Sequence, residues 1–339
     1  MRIFALTLLS VILLACSHGN TAPANTATST SEPNRTTTAD AVSESSATSQ
    51  TANTPAPPPD TPDVHVSGKR ALKYTADMVA MGPRPIGSAA HTKMENYIRE
   101  HLRKDGVEGN NLEEDQFTAD TPAGKFQCRN FIAKFPGKKD GIIVISGHYD
   151  TKMLPNFVGA NDGGASAGLL LELADHFAKE KKPRDGYSVW LVWFDAEEAV
   201  KQWSATDSTY GSRHLAAKWQ QDGTAKKIKG FMLLDMIGDA DLGIDRDMNS
   251  TPWLEDLVYR AASRFGYQSH FFTRKTADED DHIPFKNIGV PVADLIDLDY
   301  GYNNVFWHTS QDTMDKLSAE SLEIVGTTVV ETVRLLDQR

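Results

Sequence analysis

Apolar residues recur along the chain with two spacings, and the two alternate. After Ser88, the residues Met94, Tyr97, Ile98 and Leu102 share one helical face, which predicts a helix capped by Ser88 and stopped at Gly106. Residues 116–118 and 126–135 read as two strands around a turn containing Pro122 and Gly124. Residues 142–146, 187–194, 230–234 and 290–296 are largely apolar runs, as strands covered on both faces require. Between and after them, residues 163–179, 208–220, 252–265 and 319–336 read as helices. Pro252 suits a first helical turn and Gly266 a stop. Strands alternating with helices predict an α/β three-layer sandwich: a mixed, mostly parallel central sheet flanked by helices. The early strand pair predicts an antiparallel edge.

The N-terminal stretch breaks this pattern. Residues 1–15 carry Arg2 and then a short apolar run, which reads as an export signal too short to span a membrane. It ends Leu13-Leu14-Ala15-Cys16, similar to a bacterial lipobox, which implies cleavage before Cys16 and lipid attachment to it. Residues 16–65 are dominated by Ser, Thr, Ala, Pro and Asn, a composition that cannot offset its chain entropy by burial and predicts a disordered tether. The catalytic domain is therefore expected over residues 66–339. Such a chain belongs in the bacterial cell envelope, with the outer membrane preferred because Ser17 is not an inner-membrane retention signal. The net charge of -11, from 46 acids against 35 bases, argues against a nucleic-acid partner. Two cysteines, Cys16 and Cys128, give no disulfide framework.

The chemistry collects where the predicted strands end, the edge at which open α/β sheets bind ligands. His148 and Asp150 follow the first central strand, Asp195, Glu197 and Glu198 the next, and Asp235 the third. Asp162 precedes a predicted helix, and His308 follows the last strand. A lone Asp162 would read as a helix cap. Several acids on one rim repel one another strongly unless a cation joins them. Histidine with carboxylates and no cysteine suits Zn²⁺ in an open, catalytic site. The Glu197-Glu198 pair lets one carboxylate bind metal while the other moves protons.

Together these residues resemble the zinc aminopeptidase superfamily, whose pattern is matched by His148-Tyr149-Asp150, Asp162, Glu197-Glu198, Asp235 and His308. Four stretches resemble its glutaminyl cyclase branch, in the animal-type form: 157–162, 194–215 with Trp203, 280–285, and Trp307-His308-Thr309. The resemblance implies one zinc per chain on Asp162, Glu198 and His308. It implies Glu197 as general acid/base, helped by Asp235 and Asp280, in a pocket walled by Trp203 and Trp307. It implies substrates with an N-terminal glutamine, cyclised to pyroglutamate with release of ammonia. Membrane contact would be through the lipid alone. The animal enzymes' disulfide positions are Gly147 and Ala167 here, and a pocket histidine of theirs aligns with Asp294, which would then face substrate.

Two other readings stay open. In a two-zinc aminopeptidase, His148 and Asp235 would hold a second metal, with Asp150 beside it, and Glu197 would activate water. A non-catalytic binding module on the same fold would be expected to lose some of these residues, and none is lost. By residue type alone, the tryptophans read equally well as core, His282 as a structural residue near Asp280, and Cys128 as a buried thiol.

Overall fold

The computed structural model describes residues 64–339. The expected signal segment, Cys16 and the tether as far as residue 63 lie outside the described residues.

The elements run α1 (Gly68–Val79), α2 (Ala89–Lys104), β1 (Leu112–Thr121), β2 (Gly124–Phe135), β3 (Gly137–His148), α3 (Ser166–Lys179), β4 (Arg184–Phe194), α4 (Tyr210–Asp222), β5 (Ile228–Asp235), β6 (Ile244–Asp247), α5 (Pro252–Ser263), β7 (Phe271–Thr276), α6 (Ile283–Asn287), β8 (Val292–Ile296) and α7 (Ala319–Asp337). Six strands form one sheet in the order β1-β2-β4-β3-β5-β8. The first pairings, β1 with β2 and β2 with β4, are antiparallel. The strands β4, β3, β5 and β8 then run parallel. The antiparallel edge is where the sequence placed it.

Alternation along the strands builds two cores. Ile143 and Ile145 of β3, Leu191 and Trp193 of β4, and Met232 and Leu234 of β5 face one way, against α1, α2, α3, α5 and α7. Val144, Val192, Phe194, Phe231 and Leu233 face the other way, against α4 and Phe285 of α6. The result is the three-layer α/β sandwich, with its strands buried on both faces.

The structure departs from the sequence reading in several places. Helix α1 was not anticipated, because its buried stripe is Ala71, Thr75 and Met78, with a threonine where an apolar residue would signal the period. Thr75 is satisfied there by donating to the Ala71 carbonyl. The strands β6 and β7 form a separate parallel pair, too short and polar to register. Helix α3 starts at Ser166 rather than at residue 163, because Gly163 sits at φ +79° in an irregular turn over Ala160–Ala165. A Cβ at Gly163 would lie 2.5 Å from the Asp150 carbonyl oxygen, so only glycine fits. Finally, the core begins before residue 66: Val64 is only 6% exposed and packs in the larger core.

Candidate active site

Parallel strands end on one edge, so the residues after β3, β4 and β5 converge. His148 closes β3, and Asp235 closes β5. Glu197 and Glu198 follow β4 by three and four residues, after a backbone reversal in which Ala196 takes φ +56°. Asp162 comes from the irregular turn ahead of α3. His308 arrives from the long connection after β8, itself at φ +53°.

The structure brings six of the expected residues into one buried cluster. Asp162, Glu198 and His308 offer ligand atoms within 4.8 Å of one another. His308 Nε2 lies 3.2 Å from Asp162 Oδ2 and 3.3 Å from Glu198 Oε1. On the far side of Asp162, His148 Nε2 lies 3.2 Å from Asp162 Oδ1 and 3.2 Å from Asp235 Oδ1. Glu197 Oε2 is 3.8 Å from His148 Nδ1.

These donors fit a cation. Asp162 Oδ2 and Glu198 Oε1 are buried and have no hydrogen-bond partner, although both face His308. Unmatched buried acceptors are costly, and a metal ion removes that cost. The electrostatics say the same. Burial works against a charged His308, yet Asp162 and Glu198 raise it to about 9. Burial likewise opposes a charged His148, and Glu197 with its neighbouring aspartates holds it raised. The rim draws positive charge wherever it finds it. Glu197 behaves in the opposite way. Burial, reinforced by Glu198 and Asp280 and only partly offset by His148, holds its carboxyl well above the usual range. A buried carboxyl whose hold on a proton is strengthened in this way is suited to accept one and pass it on.

Outer residues hold this cluster in place. Asp150 accepts the backbone N–H of Glu197 at 3.1 Å and of Glu198 at 3.3 Å, so it fixes the Glu pair. Asp312 accepts the backbone N–H of Asn161 and Asp162, and the Tyr300 hydroxyl. The buried Arg84 donates to the Val158 and Gly159 carbonyls of the same turn. Lys152 donates to Glu198 Oε2 at 3.0 Å. Gly147 lets β3 approach closely: a Cβ there would lie 2.7 Å from Ser166 Cβ.

A cavity of about 570 Å³ opens over the rim, lined by Glu197, Glu198, His308, Asp280 and both expected tryptophans, among others. Trp203 and Trp307 remain 37% and 41% exposed, so they are walls rather than core. The Trp307 ring stacks on His308, with centroids 4.0 Å apart. Asp280 is buried and pushed up to about 7, by burial and then by Asp235.

Asp294 is not where the sequence reading put it. It is fully buried and absent from the cavity wall; its Oδ2 faces His282 Nδ1 at 3.3 Å. His282 reaches Asp247 with its other nitrogen, at 3.2 Å. Asp294 thus belongs to a buried Asp-His-Asp unit behind the pocket. The reason is register: Asp294 pairs with Leu233 within the body of β8, two residues before the strand ends at Ile296.

Sequence reasoning missed Lys152, Asp312 and Tyr300. Lys152 stands two residues past Asp150, so its neighbourhood was visible. Asp312 and Tyr300 act through the backbone and a carboxylate of another loop, which no spacing announces. His91 was passed over too; it is buried and bound to Asp195 at 2.7 Å, tying α2 to the base of the Glu197 loop.

Residues 130–333 match peptidase family M28. The chain is 30% identical over 289 residues to a glutaminyl-peptide cyclotransferase of Drosophila melanogaster, covering 77% of this chain and 80% of that one. The crystal structure of an Acidobacteriales bacterium glutaminyl cyclase is 49% identical, with a TM-score of 0.79, covering 84% of this chain and 99% of the other. That of the Porphyromonas gingivalis glutaminyl cyclase is 28% identical, with a TM-score of 0.71, covering 81% and 99%. Kinship of this extent, on a shared fold, makes the chain a member of peptidase family M28 and, within it, of the glutaminyl-peptide cyclotransferases.

Proposed function

We propose that this enzyme is zinc-dependent and converts N-terminal glutaminyl residues of peptides to pyroglutamate, releasing ammonia. The observation that carries the reading is a pair of buried, unmatched carboxylate oxygens facing His308, beside the buried Glu197 carboxyl, under a tryptophan-walled cavity.

Asp162, Glu198 and His308 would hold the zinc. When bound, it supplies a Lewis acid for the γ-carbonyl oxygen of the substrate glutamine. The protein's own groups do the rest. The substrate's α-amine forms the new C–N bond to the side-chain carbonyl carbon, Cδ, and the bond from that carbon to the amide nitrogen breaks. Glu197 accepts a proton from the attacking amine and passes it to the leaving nitrogen, which departs as ammonia. No water is consumed. Asp280 acts on Glu197 and Asp235 on Asp280, so the two aspartates set the charge around it. Trp203 and Trp307 restrict the side chain to conformers in which amine and carbonyl meet, and keep water away.

A second reading has one observation in its favour. His148, Asp162 and Asp235 also present ligand atoms within 4.8 Å, as a second metal of an aminopeptidase would need. Mass spectrometry of a Gln-initiated peptide incubated with the protein separates the two. Loss of ammonia from an uncut chain supports cyclisation; a peptide shortened by one residue overturns it in favour of hydrolysis. One zinc per chain in the same sample supports the single-metal reading.

The placement we propose follows the sequence alone. The Leu13-Leu14-Ala15-Cys16 motif supports a lipid anchor in the bacterial cell envelope, with the catalytic domain on the tether beyond it. Metabolic labelling with a fatty acid, lost on Cys16→Ser, tests it; labelling that persists in the variant rejects Cys16 as the anchor.

A further inference from the structure

Glu198 has two carboxylate oxygens in different surroundings. Oε1 is buried, unmatched and 3.3 Å from His308 Nε2. Oε2 accepts from Lys152 Nζ at 3.0 Å. Lys152 is only 18% exposed on its side chain, and it also lines the cavity. Its backbone is well anchored. The neighbouring Thr151 donates its N–H to the Arg84 carbonyl at 3.2 Å and accepts the Arg84 N–H on its hydroxyl at 2.8 Å. The ammonium therefore reaches Glu198 from a fixed origin.

The last torsion of a glutamate is broad and two-fold, so nothing intrinsic to Glu198 decides which oxygen faces the cluster. Asp150 fixes the Glu198 backbone but not its carboxylate. Lys152 is the group that does so.

We propose that Lys152 is a positioning residue that restricts Glu198 to a single donor oxygen and draws charge away from it. This rests on the zinc reading of the previous subsection. A one-oxygen carboxylate keeps a coordination position free for the substrate carbonyl, as an open tetrahedral site needs. A carboxylate already sharing its charge with an ammonium neutralises the metal less, which leaves it a stronger Lewis acid. Lys152 thereby exchanges tightness of metal binding for electrophilicity.

The signature separates this role from a merely structural one. In Lys152→Met, Glu198 is free to offer both oxygens, and a positive charge beside the metal is gone. Zinc affinity, measured by competition with a chelator, is expected to hold or rise. The visible absorption of the cobalt-substituted protein is expected to weaken as coordination expands. The turnover number should fall about tenfold or more, within the usual weight of such outer partners. Lys152→Arg, which keeps the donor, should restore the cobalt spectrum. Weaker zinc binding with an unchanged cobalt spectrum would make Lys152 structural and overturn the proposal, as would a variant that matches the parent throughout. Glu198→Gln is the control for the underlying reading. If the parent chain binds no zinc, that reading fails and takes the inference with it. If the parent binds zinc and Glu198→Gln does not, an unaltered Lys152→Met defeats the inference alone.

Discussion

The Asp312 carboxylate accepts the backbone N–H of Asp162 at 3.1 Å, so the turn that presents one expected metal ligand is held from a loop 150 residues away. The same carboxylate takes the Asn161 N–H and the Tyr300 hydroxyl, each at 2.8 Å. Asp312→Ala leaves these buried donors without a partner, at a cost on the order of a few kcal/mol. The expected outcome is a lower melting temperature together with a substoichiometric zinc content. Asp312→Asn, which keeps one acceptor, should fall between. Full zinc and an unshifted melt in the alanine variant would show that the turn holds its own shape.

Metal binding and proton transfer should separate by residue. His308→Ala removes the imidazole of the donor set, and zinc and activity should vanish together. Glu197→Gln keeps the shape and removes the titrating group. It should retain zinc and lose on the order of two to four decades in turnover. A Glu197→Gln enzyme with near-parental turnover would exclude it as the proton carrier.

Trp203 tests whether the cavity wall orders the substrate. The indole is 37% exposed, so its removal leaves no large core void. Trp203→Ala should keep zinc and the melting temperature. Ammonia release from a Gln-dipeptide should drop by roughly tens to hundreds-fold, because the amine no longer meets the carbonyl in a restricted geometry. An unchanged rate would reduce Trp203 to surface packing.

Where the folded unit begins is also measurable. Val64 is 6% exposed within the main core, and Val66 2%. A chain beginning at Ser67 forfeits two buried valines, each worth about 1.5–3 kcal/mol. A chain beginning at Asp60 keeps both. The shorter one should melt well below the longer, with equal activity on small peptides at low temperature. Coincident melts would mean that the valines contribute nothing to the fold.

Glu255 should impose a pH dependence on stability far from the cavity. Burial first, then Asp247 and Asp256, push it up from 4.5 to about 7, with Arg246 a partial offset. Its unfolded form gives up the proton first as pH rises. Between about 4.5 and 7 the folded state therefore holds more protons, and stability falls with rising pH. Glu255→Gln should flatten that slope, most visibly as a gain in melting temperature at about pH 8 over the parent. Parallel melting curves for both chains across the range would place the slope elsewhere.

What could be read from the sequence divides along physical lines. The central strands were legible because apolar runs such as residues 142–146 have no other stable home. The rim was legible because His148, Glu197, Glu198 and Asp235 stand just past those runs, and parallel strands share one end. Asp294 failed for the same reason turned round: it lies inside a strand, where register rather than sequence position decides what a side chain faces. Helix α1 failed because Thr75 occupies a buried position by hydrogen-bonding its own backbone. Lys152, Asp312 and Tyr300 failed because they act on ligands across loops.

The stacking of Trp307 on His308 joins two neighbouring residues with different tasks. One lines the cavity; the other belongs to the expected donor set. Phe157 meets the His308 ring edge-on from another side, so the imidazole has little room to turn independently. Pressure on the indole is therefore felt at the imidazole. A metal held by His308 would thus be linked to whatever fills the cavity, each returning to the other in equal measure what it adds to its affinity.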